Sequence, residues 1–436
     1  MDRDLVALLG FVLMFFLMAL RVPIGVAMGV AGVGGFYLLT SATPALNLLA
    51  NVPLSVVTDY NLSVIPMFVL MGAFASHAGM SQELFNAGRA WLGHRRGGLA
   101  LASIAAYAGF AAVNGSSVAT AATITGVAMP ELTRHGYSGR LATGTLAASG
   151  TLGILIPPSV PLVIYAILTE QNIAKLFAAA MVPGVIAMLG YMIAIAIYVR
   201  LVPGQAPEVD DNPPTLTAES FKGVLPILTI FVIVFGGIYG GFFTPTEGAA
   251  VGASSTFLAS LLKREITWEK FKHCFYATAE SSAMIFLIFM GADIMNGALA
   301  LTNVSQQLGA WVNGLGWPPL GVVAGILVFY VILGAVMDEL SMILLTIPIF
   351  FPIVVGLDFG MPKDMVAIWF GIMVLMVVEF GLLAPPVGLN VYVVNGMTKG
   401  VPIAESYRGV MPFLASDTLR TLLLLFFPGI SLWLVG

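Results

Sequence analysis

The sequence predicts an all-α polytopic membrane protein built from two inverted-topology repeats, each holding a re-entrant helical hairpin and a broken helix. Three observations carry that expectation: an apolar, charge-poor composition, an excess of Gly and Pro, and a repeated proline motif. Of 436 residues, 59% are hydrophobic and only 9% are charged, against about one charged residue in four for an ordinary soluble chain. The mean hydropathy is +0.98, so lipid must accept the apolar excess that no globular core could hide. The 48 Gly and 25 Pro exceed what unbroken helices need and point to helices that open inside the membrane. Lastly, one proline motif occurs twice, 228 positions apart.

Long stretches without Asp, Glu, Lys or Arg mark the membrane, among them 22–58, 97–130, 141–169, 176–199, 294–337 and 421–436. At ~20 residues per span the chain has room for about 10 to 14 crossings. Only 203–222, with its Pro and acidic residues, reads as a hydrophilic linker. It separates a first repeat, 1–202, from a second, 223–436. The duplication rests on ordered matches. Gly153-Ile-Leu-Ile-Pro157-Pro158 corresponds to Gly381-Leu-Leu-Ala-Pro385-Pro386 at a separation of 228. Upstream, Met71-Gly72-Ala73 matches Met290-Gly291-Ala292 at 219 and Trp91 matches Trp311 at 220. Downstream, Ile173 matches Ile403 at 230 and Pro183 matches Pro412 at 229. Five matches in one order, with a slow drift, indicate two copies of one unit.

Charge gives the relative orientation. Segment 97–130 is flanked by Arg89, Arg95, Arg96, Arg134 and Arg140, whereas its counterpart is flanked by Lys363 and two aspartates, Asp358 and Asp364. Under the positive-inside rule the first flanks are cytoplasmic and the second external, so the copies are inverted. An inverted-repeat secondary transporter is the class that follows.

Segment 97–130 is too short for two full spans, and its flanks lie on one side, so it reads as a hairpin with a polar tip around Asn114-Gly115-Ser116-Ser117. The second hairpin, about 318–357, has its tip at Gly334–Ser341 with Asp338 and Glu339. Ordinary interfacial turns are the bland reading of such tips, but both copies place polar turns at corresponding positions. The Pro-Pro pairs break the helices at about 141–169 and 365–398, because proline lacks a donor and clashes with the preceding turn, which frees carbonyls. Each break facing its hairpin tip makes a cage of oxygens suited to a small cation, and the two cages flank one solute site. That site draws on Asn114, Ser116, Ser117, Ser159, Glu339 and Asn390. Glu339 and Glu379, deep in apolar stretches, are functional candidates by default. Asp59, Asp293 and Glu280 read more readily as interfacial residues or caps. No Lys or Arg falls in either tip or break, so an anionic solute must rely on bound cations and helix N-termini.

Composition also excludes functions. A formal charge of −4 with scattered basic residues leaves no phosphate-tracking surface, so nucleic acid is no partner. There is no GxxxxGK[ST], no G-x-S-x-G and no HExxH, so a motor ATPase, a nucleophile elbow and a zinc site all lack their residues. The single cysteine, Cys274, cannot form an internal disulfide, and Met1-Asp2-Arg3-Asp4 does not begin a cleaved signal.

Three motifs are specific enough for a resemblance: Pro130-Glu-Leu-x-Arg-x-Gly136-Tyr137 followed by the first Pro-Pro run, Gly241-Phe-Phe-Thr-Pro-Thr-Glu247-Gly-Ala-Ala, and Leu382-Leu-Ala-Pro-Pro-Val-Gly-Leu-Asn390. Over nearly its whole length the chain resembles the large membrane subunit of tripartite ATP-independent periplasmic (TRAP) transporters. The resemblance implies a multi-pass protein of the bacterial inner membrane and a sodium-coupled elevator, in which a transport domain slides along a fixed scaffold. It implies Na+ as coupling ion, a small four-helix membrane subunit, a periplasmic substrate-binding protein, and an organic acid such as a C4-dicarboxylate or sialic acid as substrate. By matching position, a first sodium site involves Gly115, Ser116, Ser117, Gly153 and Pro157, and a second Gly334, Asp338, Ser341, Gly381 and Pro385. With no small-subunit helices before residue 4, a separate small subunit is expected. A stand-alone ion-coupled carboxylate carrier of related fold is the alternative, and an enzyme lacks any nucleophile–base pair or metal set.

Overall fold

A computed structural model describes residues 2–207, 218–334 and 337–436 of the chain, and every regular element in them is helical. The linker proposed at 203–222 therefore lies largely outside the described residues. The first half runs α1 (Arg3–Ala19), α2 (Ile24–Leu39), α3 (Ala42–Thr58), α4 (Val64–His77) and α5 (Met80–Leu92), then α6 (Gly98–Asn114) and α7 (Ser117–Arg134). It continues with α8 (Gly139–Gly150), α9 (Leu152–Leu155), α10 (Val160–Leu168) and α11 (Ile173–Leu201). The second half begins with α12 (Ala218–Tyr239), α13 (Pro245–Leu262), α14 (Trp268–Thr302) and α15 (Val304–Gly314). Then come α16 (Pro319–Gly334), α17 (Glu339–Val355), α18 (Lys363–Leu383), α19 (Leu389–Gly396), α20 (Ile403–Phe426) and the short α21 (Gly429–Leu432).

Among the described residues, seven helical stretches are long and apolar enough to cross a membrane, and five shorter apolar helices accompany them. Four of those five are α2, α3, α6 and α16, at 16 or 17 residues each. A 17-residue helix is about 25 Å long, short of the ~30 Å hydrocarbon core. Helices α6 and α7 meet at the αL residue Gly115 and pack against each other, as do α16 and α17 about the second tip. The first helix pair spans Gly98–Arg134 and the second Pro319–Val355, against hairpins expected at 97–130 and about 318–357. Both Pro-Pro pairs interrupt their helices, separating α9 from α10 and α18 from α19, and both bonds are cis.

Burial separates two groups of helices. The best apolar window of α18 is 94% buried inside the protein and that of the α8–α10 stretch 83%, against 33% for α11 and α12. The broken helices therefore sit where protein, and not lipid, can satisfy their opened backbone. They pack with both hairpins and with α11 and α20. The outer helices carry large apolar side chains outward, such as Leu8 at 61%, Phe16 at 58% and Val232 at 65% exposure. Such a surface suits hydrocarbon.

The other group contains α1–α4 and α12–α14, in which the halves are interlocked. Helix α2 of the first half lies against α14 of the second, and α13 of the second against α4 of the first. A Cβ on Gly25 would sit 2.5 Å from the Leu287 carbonyl oxygen, and one on Gly32 2.6 Å from the Met295 nitrogen. The backbones of α2 and α14 touch, which is the small-residue packing that membrane helices use in place of a hydrophobic drive.

Candidate functional site

Both hairpin tips open onto one cavity of about 780 Å³. Asn114, Gly115 and Ser116 line it from the first tip, Asp338, Glu339 and Leu340 from the second, with Val160 and Leu389 between them. Those residues place four helix starts at the cavity. Helix α7 begins at Ser117, α10 at Val160, α17 at Glu339 and α19 at Leu389. Local chemistry fixes each start. The Ser116 hydroxyl accepts from Ala119 N (3.4 Å), Ser159 from Leu162 N (3.4 Å), and Asp338 Oδ2 from Leu340 N and Ser341 N (3.1 Å each). Gly388 precedes α19 with φ +55, a conformation glycine adopts without steric cost. Each N-terminus presents the positive end of a helix dipole, but the first N–H groups of α10 are already used, Val160 N by the Gly115 carbonyl and Leu162 N by Ser159, and Asp338 takes two of those of α17. Four such dipole ends meet one space, which Asp338 and Glu339 also line and which has no Lys or Arg in its lining.

The first tip meets the first break closely. A Cβ on Gly115 would lie 2.7 Å from the Pro158 carbonyl oxygen, and one on Gly153 2.6 Å from the Ser116 carbonyl oxygen and 2.8 Å from Thr120 Oγ1. Val160 N donates to the Gly115 carbonyl (3.3 Å). Backbone and hydroxyl oxygens thus crowd around two residues without side chains, the donor set a hard cation takes. Gly115, Ser116 and Gly153 are brought together, and Pro157 lies buried in the break. Ser117 turns elsewhere: its hydroxyl, fully buried, donates to Asn390 Oδ1 (3.0 Å) and accepts from Asn390 Nδ2 (2.7 Å). Asn390 also donates to the Ala147 carbonyl (3.4 Å). Ser117 and Asn390 tie the first tip to α19, while Ser159 caps α10; these three are fully buried and do not line the cavity. Asn114 lines it while donating to Thr120 Oγ1 (2.8 Å).

The second tip approaches the second break in the same way. A Cβ on Gly381 would lie 2.7 Å from the Gly334 Cα and carbonyl oxygen. Ser341 is fully buried and its hydroxyl, like Glu339 Oε2, has no partner among the described residues. Buried polar atoms are normally paired, and these two are among several in the described residues that are not. Asp338 spends one oxygen as the cap of α17. Pro385 is exposed, unlike Pro157, and Tyr407 OH donates to the Pro386 (3.0 Å) and Val387 (2.7 Å) carbonyls beside it.

Sequence reasoning did not foresee the partner of Glu379. Its carboxylate pairs with Arg420, which also contacts Asp417 (2.9 Å); all three are at most 3% exposed. Asp417 Oδ2 accepts from Tyr191 OH (2.9 Å), which lies 3.0 Å from the Thr151 hydroxyl. No local spacing reveals a pair 41 positions apart on two helices; the one available signal is that Asp417 and Arg420 sit three apart on an apolar helix. Asp59 accepts from Asn61 N (2.8 Å) as a cap, and with Asp293 lines a second, smaller cavity of about 220 Å³ beside Leu344 of α17.

Comparison with known proteins places this arrangement. Residues 11–430 match the family model described as the tripartite ATP-independent periplasmic transporter, DctM component. The chain is 33% identical over 446 residues to the C4-dicarboxylate TRAP transporter large permease protein DctM of Rhodobacter capsulatus, covering 98% of each chain. It is 30% identical to the sialic acid TRAP transporter large permease protein SiaM of Vibrio cholerae, covering 92% of this chain and 91% of the relative. In fold it resembles the YdaH transporter of Alcanivorax borkumensis, with a TM-score of 0.62 at 12% identity over 90% of each chain.

Proposed function

The chain belongs to the family of TRAP transporter large permeases, the DctM component, a multi-pass membrane transport protein and not an enzyme, and from that premise we propose that it imports an organic acid by sodium-coupled elevator motion. The observation that carries the substrate class is the convergence of four helix N-termini on a cavity with no Lys or Arg in its lining. A carboxylate there meets the positive ends of helix dipoles. Two sodium ions, one at each tip-and-break contact, supply further positive potential and link the acid's entry to the ion gradient. The names of the Rhodobacter and Vibrio relatives make a C4-dicarboxylate or a sialic acid the first candidates.

The duplication belongs to the same reading. In each half, a helix holding the Met-Gly-Ala match (α4, α14) is followed by a short helix with the matched Trp (α5, α15), a hairpin, a broken helix and a long helix with the matched Pro (α11, α20). With the basic flanks of the first hairpin cytoplasmic, the cavity lies on the inner side. Beyond the tips it follows Ala119, Ala122 and Thr123 of α7 and Ser76 and His77 of α4, toward the end bearing Arg89 and Arg134. The shape is an inward-facing one. The hairpins, broken helices, α11 and α20 form the sliding unit, and the interlocked α2–α14 and α13–α4 pairs form the fixed one.

The family description is of a tripartite, periplasmic system, so the working unit includes a small membrane subunit and a periplasmic protein that delivers the acid. Reconstitution tests this. Uptake into proteoliposomes is expected only when the small subunit and the loaded binding protein are both present. Equal uptake of free acid without them would make the chain a stand-alone carboxylate carrier.

A further inference from the structure

The buried chain Thr151–Tyr191–Asp417–Arg420–Glu379 joins the two breaks, and its members are related by the same offsets as the repeat. Thr151 precedes Gly153 by two residues, and Glu379 precedes Gly381 by two; both pairs are 228 apart, the separation of the Pro-Pro motifs. Tyr191 and Arg420 are 229 apart, the separation of Pro183 and Pro412. The first half thus sets a neutral Thr–Tyr contact (3.0 Å) where the second sets a Glu–Arg ion pair. Asp417 belongs to one half only: Met188 stands 229 positions before it. Its two oxygens hold the two corresponding residues together, one accepting from Tyr191 (2.9 Å) and the other 2.9 Å from Arg420 Nη2. The Arg420 guanidinium also lies 5.9 Å from the Tyr191 ring centroid.

We propose that Tyr191 and Arg420 are positioning residues that clamp the two helix breaks to each other through Asp417, so that the geometry of one cation site depends on the other. This rests on the sodium-coupled reading above. Stability alone does not account for the arrangement, since well-packed apolar residues generally match or exceed a buried ion network. Glu379 Oε1, Asp417 Oδ1 and Arg420 Nε and Nη1 have no hydrogen-bond partner among the described residues, Asp417 Oδ1 meeting Arg420 as an ion pair only, so the network leaves hydrogen-bonding capacity unused. What the network does supply is a continuous polar path across the middle of the sliding unit. It runs from the turn before the first break, through α11 and α20, to the turn before the second. Coupling along such a path is a free energy between two sites and is reciprocal, which makes it measurable from either end.

The test uses the wild-type complex, with small subunit and binding protein, beside Tyr191→Phe, which keeps the ring and removes both hydrogen bonds. Two readouts are taken. Hydrogen–deuterium exchange is expected to rise in peptides over both 150–160 and 380–390, although Tyr191 touches only the first of these. The sodium concentration for half-maximal uptake is expected to rise roughly fivefold, with the KM for loaded binding protein at saturating sodium unchanged and the complex still assembled at the assay temperature. Glu379→Gln, approached from the other end, is expected to raise exchange over 150–160. Should that variant fail to assemble, Thr151→Val, which exchanges the hydroxyl for a methyl of similar size, takes its place and is expected to raise exchange over 380–390. Exchange confined to the break nearest each substitution, or unchanged at both, overturns the clamp. A wild type whose uptake ignores sodium overturns the sodium-coupled reading instead, and the exchange result still decides the clamp.

Discussion

Individual residues divide the site between backbone and side chain. Around Gly115 and Gly153 the oxygens are mostly carbonyls, and what the sequence must supply is the absence of a Cβ. Gly115→Ala combines a φ of +69 with a Cβ 2.7 Å from the Pro158 oxygen; it is expected to cut sodium-dependent uptake at least tenfold without loss of membrane insertion. Gly381→Ala drives a methyl into Gly334 and is expected to do the same at the second tip. Side-chain oxygens make smaller contributions. Ser341, buried and without a partner among the described residues, is expected on Ser341→Ala to raise the sodium requirement about three- to tenfold, about the net worth of one ordinary hydrogen bond. Ser116 is expected to respond similarly. Ser117→Ala has a different signature, because it removes the bond to Asn390: destabilisation of about 1 kcal/mol in a thermal melt, with the sodium dependence little altered. These residues also mark how far the sequence could be read. Polar tips, double prolines and flanking glycines stand out in apolar runs, so the neighbourhood of the site was legible. That Ser117 faces Asn390, 273 positions away, and that Glu379 faces Arg420 depend on helix rotation and packing, which composition and spacing do not encode.

Among the elements, the hairpins and broken helices were legible because their anomalies are local. A stretch too short for two crossings and a proline pair within a helix have few solutions in a bilayer. The added break at Thr151, between α8 and α9, was not, since Ser-Gly-Thr carries a weaker signal than Pro-Pro. Nor was the crossing of halves in the outer helices, which depends on glycine contacts between distant segments. The same elements locate the motion. Ser76 of α4 and Thr123 of α7 bring their hydroxyls within 3.4 Å, one on each side of the proposed sliding boundary. In a Cys274→Ser background, Ser76→Cys with Thr123→Cys is expected to cross-link on oxidation, to stop uptake and to recover on reduction. A cross-linked protein that still transports would mean that α4 and α7 move together.

For the molecule as a whole, the scarcity of charge that marks a membrane protein also limits how the proposed organic acid can be held. Basic side chains are costly at mid-membrane depth, and helix ends gathered from both hairpins and both breaks replace them. The position of the cavity toward the arginine-rich flanks gives one of the two orientations an elevator needs; in the other, the smaller cavity beside Asp59, Asp293 and Leu344 is expected to widen as the second hairpin withdraws from α14. The most direct measurement is uptake of the acid by proteoliposomes holding the complete complex, with an inward sodium gradient imposed or replaced by choline at equal ionic strength. Concentrative uptake that requires sodium and collapses when the gradient is dissipated is the expected result, and uptake that proceeds undiminished in choline would contradict it.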